Sequence, residues 1–259
     1  MLARLVVALS VVILAATARG ELRDGLILYL PLDEVDGRAA VDASPTRADS
    51  AVSGTAAWMP SQGAFGGGLS LAGGRDGGIA VAHDFGVLDA VTTAAWMRIE
   101  DPQPPRWDYL FDARNRDVDE DDGAPYFGRS RAATIRFGDS EAAADAYPRG
   151  VWTHFALTAD SREANLYVDG KLVQVWDAPS LNVGDRLVVG NRHTFTDALF
   201  GALDEFAMWS RPLSALEIRE LTRRRVLPVR SVGAEGKAAT AWAALRRAAF
   251  SASVVVERQ

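Results

Sequence analysis

The sequence predicts an all-β fold: a jelly-roll sandwich of two antiparallel sheets, with one short helix after the last strand and a C-terminal tail. Three observations carry that expectation. Short segments of alternating apolar and polar residues recur along the chain, separated by turns built on Gly, Pro and Asp. Asp169-Gly170 stands between two apolar segments, Asn165 to Val168 and Lys171 to Trp176, and a type I′ hairpin turn needs such a pair because both central residues take positive φ. Helical signal arrives late and is brief. Ser214-Ala215-Leu216-Glu217 has capping-box spacing, and Leu216, Ile218 and Leu221 follow as a narrow apolar stripe.

From the amino terminus, one positive charge at Arg4 precedes an apolar run from Leu5 to Ala16, and small residues stand at Ala16 and Ala18. That is the layout of a secretory signal peptide over residues 1–18. The apolar run is shorter than the ~20 residues that a bilayer requires. The expectation is therefore export, to the cell exterior, the periplasm or the cell surface, with no membrane span left after cleavage. Cysteine is absent, so no disulfide holds the domain and its core must do so, with or without a metal.

Leu26 to Leu32 reads as the first strand, with Leu28, Leu30 and Leu32 on one side and Tyr29 and Pro31 on the other. Residues 36–56 are small and polar, a loop with room for one short strand. Segments from Gly66 to Leu71 and from Gly78 to Ala82 read as strands joined by Gly73-Gly74-Arg75-Asp76-Gly77-Gly78. This glycine cluster is a turn and not a phosphate cradle, because no helix pattern follows it. Val91 to Ile99 alternates as a central strand. Trp107 to Phe111 follows, with Trp107, Tyr109 and Phe111 sharing a side, and then Ala132 to Phe137 and Val151 to Thr158. Arg186 to Gly190 leads into the last strand, Gly201 to Trp209, which Arg211-Pro212 stops. Beyond Thr222-Arg223-Arg224-Arg225 the pattern changes to a linker and a helical stretch from Lys237 to Phe250, so residues 21–224 form the sandwich and 225–259 the tail.

A hydrophobic share of 48% suits a full core, and a net charge of −6 gives no support for nucleic-acid or anionic-membrane binding. Lysine occurs only at positions 171 and 237, and the prevalence of arginine over lysine reads as base composition, not as a binding device.

Four pieces carry a resemblance: Gly25 to Glu34, Trp152 to Thr158, Leu166 to Val173, and the closing run Gly201-Ala-Leu-Asp-Glu-Phe-Ala-Met-Trp209 with Arg211-Pro-Leu-Ser-Ala-Leu-Glu-Ile218. In this order they resemble the laminin-G-like branch of the concanavalin A-like lectin/glucanase superfamily, across roughly residues 21–224. The resemblance implies a secreted, non-catalytic binding domain that recognises carbohydrate or an extracellular protein. It also implies one structural Ca²⁺ between the first and last strands, with Asp33, Asp42 and Asp204 as ligands. The family's Asp-x-Ser-Gly-Asn turn is matched at Asp42-Ala43-Ser44, but Pro45-Thr46 replaces Gly-Asn.

Two other functions compete. A glycoside hydrolase or lyase on the same fold would, in this superfamily, carry Glu-x-Asp-x-Glu or Glu-x-Asp-x-x-Glu on a strand, which aligns the carboxylates on one face. Here Glu34-Val35-Asp36 is followed by Arg38 and Ala39. His83, His154 and His193 show no metal-hydrolase spacing, and His154 reads as a packed, hydrogen-bonded histidine. The third reading is an accessory module that docks a partner through its tail. Two binding features remain open. The acidic loop Asp117-Val118-Asp119-Glu120-Asp121-Asp122-Gly123 is a hard-cation site or a solvated turn. Trp107, Tyr109 and Tyr126 form a stacking platform for sugar rings or part of the core, and Trp96 and Arg98 offer a second exposed face.

Overall fold

The computed structural model describes residues 21–100, 107–114, 126–130, 134–138, 140–141, 148–177, 181–185 and 187–228. The chain divides into one compact unit ending at Arg224 and a second starting at Arg225. The signal-peptide segment, the acidic loop 117–123 and the tail beyond residue 228 lie outside the described residues.

In chain order the strands are β1 (Leu26–Leu30), β2 (Asp49–Ser53), β3 (Ala57–Trp58), β4 (Leu69–Gly74), β5 (Gly78–Ala82), β6 (Ala90–Ile99), β7 (Asp108–Asp112) and β8 (Tyr126–Arg129). They continue as β9 (Ile135–Phe137), β10 (Ser140–Glu141), β11 (Trp152–Asp160), β12 (Glu163–Val168), β13 (Lys171–Asp177), β14 (Leu187–Val189) and β15 (Ala198–Trp209), and the helix α1 (Ala215–Leu221) follows.

The pairing makes two layers. In the first, β15 is flanked by β6 on one edge and by β4 and β1 on the other; β11, β12 and β13 extend it beyond β6, and β3 beyond β4. In the second, β14 lies between β5 and β7, with β2 outside β5, and with β8, β9 and β10 beyond β7. Every ladder is antiparallel except the single parallel pair Ala198↔Tyr109 that joins the layers.

One apolar core fills the space between them. Val91, Ala95, Met97 and Ile99 face in from β6, and Phe155, Leu157 and Ala159 from β11; Val52, Ile79, Val81, Phe127 and Phe137 meet them from the second layer. Removing such side chains from water, at ~1.5–3 kcal/mol each, supplies most of the driving force.

β1 ends at Leu30, two residues earlier than its alternation suggests. Pro31 cannot donate to a ladder, and Leu32 turns the chain with φ of 58° while keeping its side chain in the core. The Asp169-Gly170 turn takes positive φ at both residues, 47° and 74°, as the type I′ geometry requires.

α1 starts on its capping box: Ser214 Oγ accepts from Glu217 N (3.3 Å) and Glu217 Oε2 accepts from Ser214 N (2.8 Å). Ile218 and Leu221 are buried. Leu216 is 48% exposed, so the apolar stripe is narrower than the sequence suggests.

On the outer face of the first layer, Asp204, Trp96 and His154 lie in one cross-strand row. His154 is only 2% exposed, with its ring edge-on to Trp96 at 5.4 Å. It is packed as expected, but Nδ1 has no hydrogen-bond partner among the described residues; the bonds of the residue run through its backbone, to Asp169. Burial pushes its pKa down to about 3, so the folded protein keeps the ring neutral.

In the unfolded chain the same ring titrates near 6.5. The unfolded state therefore takes the proton first, and stability drains away as pH falls from about 6.5 toward 3. Urea unfolding at pH 7 and pH 5 should show a loss of about 2 kcal/mol that is absent in His154→Gln. Equal losses in the two proteins would refute a neutral buried ring.

Candidate functional site

The site is built on the outer face of the second layer, and a β-bulge creates it. The register of β7 against β8 shifts between Tyr109 and Phe111, which breaks strict alternation. Phe111 joins the core, whereas Tyr109 lies outside the core cluster and beside Tyr126. The shared side that the sequence suggests for Trp107, Tyr109 and Phe111 therefore does not hold. Trp107 and Tyr109 stack at 6.3 Å with planes 29° apart, and Tyr109 meets Tyr126 at 5.7 Å.

Gly128 stands opposite Tyr109 on β8. A Cβ there would come within 2.5 Å of the Asp108 carbonyl, so only glycine allows the two strands to approach so closely. Behind this face, Arg129 and Asp108 form a buried ion pair, with Nε donating to Oδ2 at 2.9 Å, and Arg129 also donates to the Glu100 carbonyl.

Two guanidiniums lie against the rings. Arg114 sits over Tyr126 at 4.2 Å and over Tyr109 at 5.5 Å, and Arg136 lies over Trp107 at 5.3 Å, each in the range of a cation–π contact. Asp112 fixes the arrangement. Its carboxylate accepts from Arg114 Nε (2.9 Å) and Nη2 (2.7 Å), from Arg114 N (3.0 Å) and from His193 N (3.1 Å), and it lies 3.0 Å from His193 Nδ1. Burial alone would raise the pKa of Asp112. The hydrogen bonds from His193 and Arg114, with the guanidinium charge, outweigh that and hold it at about 2. Arg114 is pushed the other way, above its ordinary value, because burial is outweighed by the same carboxylate.

The three residues named from the sequence, Trp107, Tyr109 and Tyr126, thus come together. Tyr109 (6% exposed) and Tyr126 (9%) are buried under Arg114, while Trp107 is partly buried between Tyr109 and Arg136. Asp112, Arg114, Arg136 and His193 were not legible as site residues. Asp112 and His193 are 81 residues apart in the chain, and only an Asp-x-Arg pair beside an aromatic strand hinted at the first two.

The three aspartates that the resemblance implies as metal ligands each accept hydrogen bonds within the protein. Asp42 is 3% exposed; Oδ1 accepts from Tyr29 N (2.9 Å) and Ser44 N (2.8 Å), and Oδ2 from Ser44 Oγ (2.9 Å) and Ala48 N (2.8 Å). The loop between β3 and β4 takes the other two: Gly67 N donates to Asp33 Oδ1 and Phe65 N to Asp204 Oδ2, both at 2.8 Å. Its glycines permit this, since a Cβ on Gly63 would lie 1.6 Å from the Gly67 carbonyl. Phe65 then packs edge-on against Trp96 at 5.7 Å, which partly covers the second exposed face suggested by the sequence, while Arg98 lies over the Trp152 ring at 5.5 Å. Among the described residues no group of three or more acidic or histidine side chains gathers in a way that could hold a metal ion.

Several solved structures share the fold. The binding domain of Paraclostridial Mosquitocidal Protein 1 is 15% identical with a TM-score of 0.59, covering 78% of this chain and 52% of that one. A botulinum neurotoxin type C structure, described by cell entry dependent on interaction with two ganglioside molecules, is 16% identical with a TM-score of 0.59, covering 78% and 51%. Domain 4 of AbnA, an extracellular GH43 arabinanase from Geobacillus stearothermophilus in complex with arabinotriose, is 14% identical with a TM-score of 0.57, covering 76% and 98%. This chain thus spans about half the length of the two toxin chains and matches nearly all of the arabinanase domain. At such identity the likeness speaks for the fold. No curated protein sequence matches. The family model described as the concanavalin A-like lectin/glucanases superfamily matches residues 73–219, from the end of β4 into α1. With more than half of its length in that match, the chain belongs to the concanavalin A-like lectin/glucanases superfamily.

Proposed function

We propose that this chain is an exported, non-catalytic binding domain that recognises carbohydrate through the outer face of its second layer. One observation carries the reading: Trp107 stacked on Tyr109, with Tyr126 alongside and Arg114, Arg136 and Asp112 around them. Aromatic rings take the apolar faces of sugars and fixed polar neighbours select the hydroxyls; of the three rings, Trp107 is the one that is not buried and would make that contact. Two structural neighbours support the reading: the arabinanase domain is in complex with arabinotriose, and the type C neurotoxin depends on two gangliosides for entry. A glycoside hydrolase is disfavoured by chemistry. The catalytic strand of this superfamily needs a second glutamate after Glu34-Val35-Asp36, where Arg38 and Ala39 stand.

A glycan array should retain the full chain on one class of oligosaccharide, and Trp107→Ala should weaken that binding by about tenfold or more, since a partly buried tryptophan is the kind of residue on which binding energy concentrates. If no glycan were retained, carbohydrate recognition would fail and the face would pass to an extracellular protein partner. Release of product from a β-glucan would overturn the non-catalytic reading.

No calcium enters the reading at Asp33, Asp42 and Asp204. Four donors already occupy the Asp42 carboxylate, and amides of the loop between β3 and β4 hold an oxygen of each of the other two. Excess EDTA should therefore leave the melting temperature unchanged, because removing a ligand bound only to the native state would lower it. Asp42→Ala should instead cost about 3 kcal/mol in urea unfolding by stranding buried amides. A fall in melting temperature with EDTA, reversed by added Ca²⁺, would put the metal back.

A further inference from the structure

We propose that β13 is a self-association edge, through which two copies of the chain pair antiparallel along Lys171–Asp177 and join their first layers into one sheet. The inference is independent of the carbohydrate reading. β13 ends the first layer, and among the described residues nothing pairs with its far side. An unpaired strand edge is a template for another strand. This edge is apolar where most surfaces are polar: Leu172, Val173 and Val175 are 52%, 43% and 45% exposed. The register with β12 passes from Leu166↔Gln174 to Tyr167↔Leu172 and leaves Val173 without a cross-strand partner. The Gln174 side-chain amide donates to the Val175 carbonyl at 2.8 Å, a local bond that a pairing strand would have to replace.

The sequence of the strand then selects the occupant. Lys-Leu-Val-Gln-Val-Trp-Asp is balanced about Gln174. A two-fold axis there sets Val173 against Val175 of the second copy and Lys171 against Asp177 of the second copy, twice over, as an isologous contact requires. Asp177 needs that cation. Within one copy it stands directly opposite Glu163, and both are exposed acids; like charges in that position destabilise a ladder. A competing role for Lys171 is to guard the edge against pairing, as edge lysines commonly do. The two roles predict opposite effects of substitution.

Sedimentation velocity on the full chain, from about 1 µM to 1 mM, tests this over the range where a small strand-edge interface associates reversibly. The wild type should show a concentration-dependent monomer–dimer equilibrium. Lys171→Glu and Asp177→Lys should each weaken it about tenfold, because each change is felt at two symmetric pairs. Combining K171E with D177K should bring the dissociation constant back to within about threefold of the wild type, since complementary charges again face each other. Val175→Lys should abolish the dimer while leaving the melting temperature of the monomer unchanged. A wild type that stays monomeric throughout would overturn the proposal. So would a dimer indifferent to all four variants, tighter pairing by Lys171→Glu, or a combined variant no better than its parents.

Discussion

Strand β15 has to hydrogen-bond along both edges at once, and the rest of the sandwich is arranged to let it. On one side it runs against β6; on the other it serves β4 up to Leu203 and β1 from Phe206 onward. A single regular strand meets this change of neighbour through a bulge between Asp204 and Ala207, where Glu205 adopts φ of 54°. A non-glycine residue there costs about 1–3 kcal/mol. The local interactions offset it: Tyr29 Oη donates to Glu205 Oε2 at 2.6 Å, and Phe65 N to Asp204 Oδ2 at 2.8 Å. Acidic residues in the middle of the last strand are therefore structural before they are anything else. They hold β1 and the loop between β3 and β4 to the strand that organises both layers.

Periodicity and turn chemistry made most of this fold legible. The Asp169-Gly170 hairpin, the capping box at Ser214 and the alternation of β6 all follow from local rules, and local rules survive folding when tertiary context agrees with them. Failures fell where tertiary context overrode the period. The bulge in β7 separates Phe111 from Tyr109, and Leu216 faces solvent although its type suggests the core. Long-range polar contacts were out of reach for a different reason. Nothing in a single sequence says that Asp112 meets His193, or that Asp204 will be met by an amide of a loop 139 residues away. Resemblance supplied the family of the chain, but not the four hydrogen bonds that Asp42 accepts within the protein.

Buried carboxylates are the recurring device. Asp42, Asp108, Asp112, Asp204, Glu205 and Glu217 are each no more than 5% exposed. Removing an anion from water costs several kcal/mol unless hydrogen bonds or a cation replace the lost solvent. Here they do: backbone amides for Asp42, Arg129 for Asp108, Arg114 and His193 for Asp112, the Phe65 amide for Asp204, Tyr29 for Glu205, and the capping box with Arg211 for Glu217. A chain without cysteine gains fixed positions for its loops and strand ends by this route, at the cost of sensitivity to acid for groups such as Asp112 whose folded pKa lies below the unfolded value.

The same device bears on what the outer face of the second layer does. A ligand surface gains affinity when its side chains are already held in the bound geometry, because each long side chain that must be immobilised on binding takes back about 0.5–1.5 kcal/mol. Arg114 is such a side chain, and Asp112 holds it by two guanidinium bonds and a backbone bond before any ligand arrives. That grip also sets Arg114 over Tyr109 and Tyr126, so one buried carboxylate orders both the cation and the rings beneath it. The Asp112 carboxylate is committed to ion pairing with Arg114. In the proposed reading, rigidity of this kind serves recognition.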